Sequence, residues 1–364
     1  MARILKRNSM EELSRPGIPA LYEEIMQAYH TEKLPFIAAG EEKDLIHSIQ
    51  SRVNEKNGSN ILRTEGYHRF HSRFPEVHWA LLAHLVSRNG GYSMTDLKSS
   101  YIGPLLNEKE KTLFFQLLER INASIFLDAY PQLLLYEESR KRDRSLFHLL
   151  PAFRVSAFMG PVWNYFFHSG DSKLLTMALI TNEQSLIEEN ILSKPASAAV
   201  LDTFKFMMQE KWGLTSILFP FKKRKYQKHY SVTGLTVSGF QSLQERIRTG
   251  KKLYHLLYSS RLVHESILAF CSMHHHTASR SDYWPHLYSA SDHAFKLVSP
   301  VLEDSWPVIP QPKPYLSDWF LKNGLPKGFE LPEQAKMQEL TDKILSDALK
   351  LAPISAVGKK LFRV

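Results

Sequence analysis

The stretch from Thr64 to Lys98, TEGYHRFHSRFPEVHWALLAHLVSRNGGYSMTDLK, gathers side chains that can hold a proton or an anion. On a helix at about 100° per residue, Val77, Leu81, Leu82, Leu85 and Val86 form one apolar side, with Trp79 at its margin. Glu76, His84, Ser87 and Arg88 gather on the other, and His84 and Arg88, four apart, stack one above the other. Asn89 follows. Gly90 and Gly91 then supply residues suited to a helix end, and Ser93 with Asp96 has the spacing of a reciprocal cap. This yields a candidate catalytic group of His84, Arg88, Asn89 and Asp96, with His84 moving the proton and Asp96 or Glu76 orienting it. The matching chemistry is hydrolysis of a phosphate or an amide. The competing interpretation is a helix junction held by satisfied buried hydrogen bonds, which interiors require wherever polar groups are enclosed.

Other polar residues carry weaker signals. His68 and His71 are three apart, but no cysteine or carboxylate follows at a zinc-finger or HExxH distance, so they read as a surface or half-buried pair. His274, His275 and His276 end the apolar run ESILAFCSMHHH, where imidazoles favour the negative helix terminus. Consecutive residues diverge on a helix, so only one or two of these could share a metal with Asp282, His286 or His293; no metal or cofactor is expected. Arg280 and Asp282 are expected to pair, and the arginine fork also suits a carboxylate or phosphate. In the enzyme interpretation these two approach the His84 group. Cys271, inside an apolar helix, reads as core rather than nucleophile, and a single cysteine fits a reducing compartment. The sequence holds no Walker loop, dinucleotide fingerprint, nucleophile elbow or kinase signature.

Net charge is +9, and the excess is local. Residues 201–300 hold 14 Lys and Arg against 6 Asp and Glu, whereas residues 1–100 hold 13 against 12. Lys222, Lys223, Arg224, Lys225, Lys228, Arg246, Arg248, Lys251 and Lys252 crowd one span with Glu245 as its only acid. Together with Arg280 they form the candidate anion-binding set. Phe219, Phe221, Tyr226 and Tyr230 interleave with the first of them. Rings beside cations suit an anionic membrane surface, the inner leaflet first, or the phosphates and bases of a nucleic acid. The first expectation for function is therefore a non-enzymatic protein docking through residues 219–252, with the hydrolase and the nucleic-acid binder as alternatives.

The elements that position these residues read as all-α. Apolar residues make up 43% and charged residues 23%, the ordinary globular mix. No signal peptide and no run of about 18 apolar residues is found. A helix is expected to follow Pro19, another to cover 41–56 up to the KNGSN turn, and another to open at Pro75 and close at Gly90–Gly91. Asn107 and Glu110 form a capping box for a helix that Pro131 interrupts. Further helices are expected at about 146–168, 172–192, 196–211, 239–258 (capped by Ser238) and 260–275, and one opened by Pro332 runs to about Leu351. SVTGLTV, 231–237, is the single strand candidate. Residues 1–304 read as the main helical domain; a Pro-rich connection near 305–316 and a C-terminal helix, 305–364, pack on the same body.

Four segments together, TEGYHRFHSRFPEVHWALLAHLVSRNGGYSMTDL, LITNEQSLIEENIL, FQSLQERIRTGKKLYHLLY and TASRSDYWP, resemble the YppC-like family of spore-forming bacilli, a family of unknown function. The likeness covers most of 60–300. It implies a cytoplasmic bacterial protein and brings no activity, cofactor or catalytic residue.

Overall fold

The computed structural model describes residues 17–30, 38–194, 216–224, 226–237, 240, 242–293, 295–310, 312–313, 315, 318–320, 329 and 333–351. The expected helix at 196–211, the Ser238 cap, Pro332 and Lys225 lie outside them. The chain is mostly helical. In order come α1 (Ile18–His30), α2 (Glu41–Lys56), α3 (Asn60–Arg73), α4 (His78–Asp96), α5 (Glu108–Arg142), α6 (Met159–Ser169), α7 (Ser172–Ile187), β1 (Ser216–Phe221), β2 (Ser231–Thr236), α8 (Leu243–Tyr258), α9 (Arg261–Met273) and α10 (Thr341–Leu351). The strands form an antiparallel hairpin in which Phe219 opposes Thr233. A second two-stranded ladder, Tyr288–Ser289 with Leu297–Val298, is only two residues long.

Local chemistry explains four of the helix starts. Ser59 caps α3 by accepting from the Leu62 N–H, and Asp171 caps α7 by accepting from the Leu174 N–H. Asn107 and Glu110 form both halves of the capping box that opens α5. Ser242 caps α8 by accepting from the Glu245 N–H.

Two helix ends differ from expectation. Helix α5 runs through Pro131 to Arg142 without stopping. Proline removes one hydrogen bond, but Ala129, Tyr130, Leu133, Leu134 and Leu135 are all buried there, so tertiary packing holds the helix across the gap. Helix α4 likewise runs past Gly90–Gly91 to Asp96. Gly91 serves close approach instead of termination: a Cβ there would collide with Asn60 Oδ1 and lie 2.8 Å from His276 Nε2. The strand β1 is a further departure, since its aromatics were expected in a docking segment.

Helix α4 is the centre of the molecule. It is buried on nearly every side, including at His84, Ser87, Arg88, Asn89 and Asp96. It packs against α3, α5, α7, α8 and β1. The polar side inferred from periodicity therefore faces other protein, not water. Trp79, Trp163, Trp284 and Trp319 are all buried in the surrounding core. Among the described residues no helix is long and apolar enough to cross a membrane.

Candidate functional site

On one side of α4 lies a sealed polar network. Arg280 donates to Asp96 through Nη2 (2.6 Å) and Nε (3.2 Å), and Tyr101 donates its hydroxyl to the same carboxylate. Arg88 donates to the His274 carbonyl (2.9 Å) and reaches Asp282 at 3.4 Å. Asp282 also accepts from the Thr277 N–H (3.0 Å) and hydroxyl (2.6 Å) and from Tyr92 (3.2 Å). The partners are thus exchanged relative to expectation: Arg280 pairs with Asp96 and Asp282 with Arg88. Burial works against charge on Asp282, while the Thr277 hydroxyl and the Arg88 guanidinium favour its ionised form.

The network continues toward α3. His276 Nε2 donates to Asn60 Oδ1 (2.9 Å), and burial drives its imidazole down to about 4, so it is neutral. Asn60 Nδ2 donates to the Ser87 carbonyl (2.9 Å) and to Ser87 Oγ (3.2 Å). Thr64 shares a 2.7 Å hydrogen bond with the same hydroxyl. Asn89 plays a different part: its Nδ2 donates to the Leu218 carbonyl (2.9 Å) and its Oδ1 accepts the Leu218 N–H (2.8 Å), so it pins β1 to α4. His84 donates from Nδ1 to the Thr64 carbonyl (2.9 Å) and is 3% exposed, with its pKa pushed well down by burial and by Arg88. Its Nε2 is buried without a hydrogen-bond partner among the described residues. Arg88, Asn89 and Asp96 have every functional atom turned to protein partners. The two candidate groups do meet, but as a bonded interior.

The other polar candidates also separate. His68 stacks obliquely on His84 at 5.0 Å, and His71 is buried and held at about 4 by desolvation. His274 bonds Tyr230 (2.9 Å), His275 is exposed and His276 is buried, so the triplet diverges. Among the described residues no three His, Cys, Asp or Glu side chains gather as a metal site. The thiol of Cys271 is buried and pushed up to about 12, chiefly by desolvation.

The basic block is divided rather than continuous. Arg246 is 4% exposed; it pairs with Glu188 and donates to the Phe240 carbonyl (2.7 Å). Lys251 is buried, Lys252 half-buried, and Arg280 is held by Asp96. Arg248 meets Glu245 (3.0 Å) and Glu333 (3.9 Å), and Lys223 meets Glu339. Lys222 lies over the Tyr230 ring at 4.9 Å. Arg224 and Lys228 are exposed at the hairpin tip. Helix periodicity underlies the dispersal: residues 246 and 251 face the core while 248 faces solvent.

On the opposite side of Ser87 is a cavity of about 170 Å³, walled by α3, α4, α5, α7, α8 and β1. Trp79, Leu82, Val86, Ile125, Ile217 and Leu253 give it an apolar lining; Ser87, Asn122, Glu183, Gln184 and Arg246 also face it. Tyr67 is part of the wall, and its hydroxyl has no hydrogen-bond partner among the described residues. Glu183 accepts from Trp79 Nε1 (3.2 Å), yet burial raises its carboxyl to about 8, so it is protonated near neutrality. The nearby Asp128 raises it further and is itself lifted to about 7, mainly by burial. A concave apolar space with a few convergent polar groups of displaced pKa is the usual form of a ligand site. Tyr67, Trp79, Asn122 and Glu183 were absent from the sequence-derived set. Glu183 lies in a segment, LITNEQSLIEENIL, where an acid placed among apolar residues was its only available signal.

Comparison with known proteins agrees with the sequence resemblance. A family model described as "Protein of unknown function (DUF2515)" matches residues 55–349. The chain is 37% identical over 324 residues to "Uncharacterized protein YppC" of Bacillus subtilis (strain 168), covering 88% of this chain and 97% of that protein. No solved structure matches. The matched span includes both the sealed network and the cavity, and the chain belongs to the DUF2515 family.

Proposed function

We propose that this protein binds a small apolar molecule carrying a hydrogen-bonding oxygen, in the cavity between α4, α5, α7 and α8. The observation that carries the proposal is the pairing of an apolar space with one unspent polar group, the Tyr67 hydroxyl, beside the protonated Glu183. A cavity of about 170 Å³ is close to the roughly 150 Å³ apolar cavity known to stay dry and admit benzene, which sets the scale of the ligand. Tyr67 or neutral Glu183 donates to a carbonyl or hydroxyl oxygen; the aromatic and aliphatic walls hold the rest. Nothing in this reading requires His84, Arg88, Asn89 or Asp96 to touch the ligand.

Calorimetric titration with acetophenone and ethylbenzene tests it. Acetophenone is expected to bind more tightly, by about tenfold for one net hydrogen bond. Ala83→Leu, which places bulk in the cavity wall, removes both interactions. Failure of both compounds to bind the wild-type protein sinks the proposal.

Docking on an anionic membrane surface, and after it on nucleic acid, is a second reading, now narrowed to the hairpin tip. Tyr226 is 92% exposed there, close to Arg224 and Lys228, which supports it. Co-sedimentation with anionic vesicles at low salt, lost on substituting Tyr226, Arg224 and Lys228 by alanine, is the expected result; no sedimentation with vesicles or shift of DNA ends it.

A further inference from the structure

A different region carries the stronger anion site. Helices α2 and α3 each present two cations four residues apart, Arg52 and Lys56 on one and Arg69 and Arg73 on the other. All four line a single recess of about 210 Å³ beside α5, and Phe70 and Tyr130 form part of its wall. Both rings are nearly buried, at 3% and 7% exposure, so the recess joins an apolar wall to a charged rim.

A carboxylate already shows how the recess receives an anion. Glu137, 4% exposed, accepts from Arg52 (3.0 Å), Lys141 (2.8 Å) and Arg73. Burial opposes its ionisation, but Lys141, Arg73 and Arg52 hold its carboxyl down at about 2. Lys56 and Arg69 are occupied differently. Arg69 meets Glu65 (2.7 Å), and Lys56 meets Glu55 (3.3 Å) and Glu65 (3.9 Å). Glu55 is 70% exposed and Glu65 35%, so these are rim contacts of the kind worth little in water. Guanidinium groups retain further N–H donors after one carboxylate contact, and their fork matches phosphate oxygens.

We propose that this recess binds a phosphomonoester, with Lys56, Arg69 and the remaining N–H groups of Arg52 and Arg73 on the phosphate and the attached apolar or aromatic body against Phe70 and Tyr130. The rim acid Glu65 gives way to the phosphate, and Glu137 remains as the fixed counter-charge that aligns Arg52 and Arg73. The site is separate from the cavity near Glu183 and shares no lining residue with it.

The test is calorimetric titration of the full chain with phenyl phosphate, with benzyl alcohol as the uncharged control, at low and at high salt. Phenyl phosphate is expected to bind, and the control not. Arg69→Ala and Lys56→Ala, both at the rim, are each expected to weaken binding about tenfold. Glu65→Gln is expected to strengthen it by severalfold, because it releases two cations; a merely non-specific cationic surface gives no such gain. The hairpin variant Arg224→Ala with Lys228→Ala leaves the titration unchanged. Sedimentation with phosphatidic acid vesicles against phosphatidylcholine vesicles then separates a lipid-borne phosphate from a soluble one. No heat with phenyl phosphate at low salt, or binding that Arg69→Ala and Glu65→Gln both leave unaltered, overturns the proposal.

Discussion

Ser87 divides the interior of this protein into two kinds of polarity. Behind it, from Asn60 through His276 to Asp282, Arg88, Asp96 and Arg280, nearly every donor has found its acceptor. In front of it, Tyr67 keeps a bare hydroxyl and Glu183 is held neutral at the wall of an open cavity. The first side is rich in the residue types that suggest catalysis, and the second is not. What separates a working site from a structural one is thus the presence of unspent hydrogen-bonding capacity next to space, and residue type alone is a poor guide to it.

The contrast breaks most visibly if the sealed side is opened. Asp96→Ala leaves the Arg280 charge buried without its carboxylate at the junction of α4 with the 274–283 loop, and Tyr101 loses its acceptor as well. The expected cost is about 3–5 kcal/mol in urea unfolding, with loss of folding at 37 °C as an acceptable stronger form of the same result. A loss under about 1 kcal/mol means the network is not structural.

Acid and base act on the interior through different groups and in opposite senses. His71, His78 and His276 are depressed to about 4, so the stability they contribute is present above about pH 6.5 and lost as pH falls toward 4. Glu183 and Asp128 are raised to about 8 and about 7. Their contribution is complete below the ordinary carboxylate pKa near 4 and is lost as pH rises through 7 to 8. Stability is therefore expected to peak near pH 6.5, each group changing it by at most about 1.4 kcal/mol per pH unit. Glu183→Gln removes a group that lowers stability steadily between about pH 4 and 8, so the fall between pH 6.5 and 8 becomes shallower and the rise from pH 4 to 6.5 becomes steeper. An unchanged alkaline arm places the titration elsewhere.

How much of this was legible beforehand follows from the range of each interaction. Ser59 and the Asn107–Glu110 box act within one turn, so short-range pattern finds them or could have. Gly91 illustrates the opposite. Two adjacent glycines after an apolar helix spell an ending, yet the constraint on Gly91 comes from Asn60 and His276, 31 residues before and 185 after it. The polar side of α4 stayed open between a site and a buried bonded junction for a similar reason: periodicity reveals two faces but not that a second layer covers both. The basic block failed as a single surface because linear charge density ignores helical phase, which turned Arg246 inward and Arg248 outward. The converse error hid the recess at Arg52 and Arg69, where neighbouring glutamates balance the local tally while the folded helices face four cations together. The cavity itself had no linear signature, since its wall draws on six elements.

The smallest effect is also the most discriminating, because it changes sign between two measurements. Tyr67 packs at right angles to Trp79 and edge-on to Phe126, and a phenylalanine in its place would keep those ring contacts. What Tyr67→Phe removes is a buried hydroxyl with no partner among the described residues, which costs desolvation and returns nothing in the empty protein. The variant is therefore expected to be more stable, by about 1 kcal/mol in thermal or urea unfolding. If the hydroxyl is a ligand contact, the same variant binds acetophenone several times more weakly while its affinity for ethylbenzene holds or improves. A hydroxyl that merely lacks a visible partner predicts the stability gain alone. A hydroxyl that bonds an internal water predicts a loss of stability instead, and so moves Tyr67 from the open side of the molecule to the sealed one.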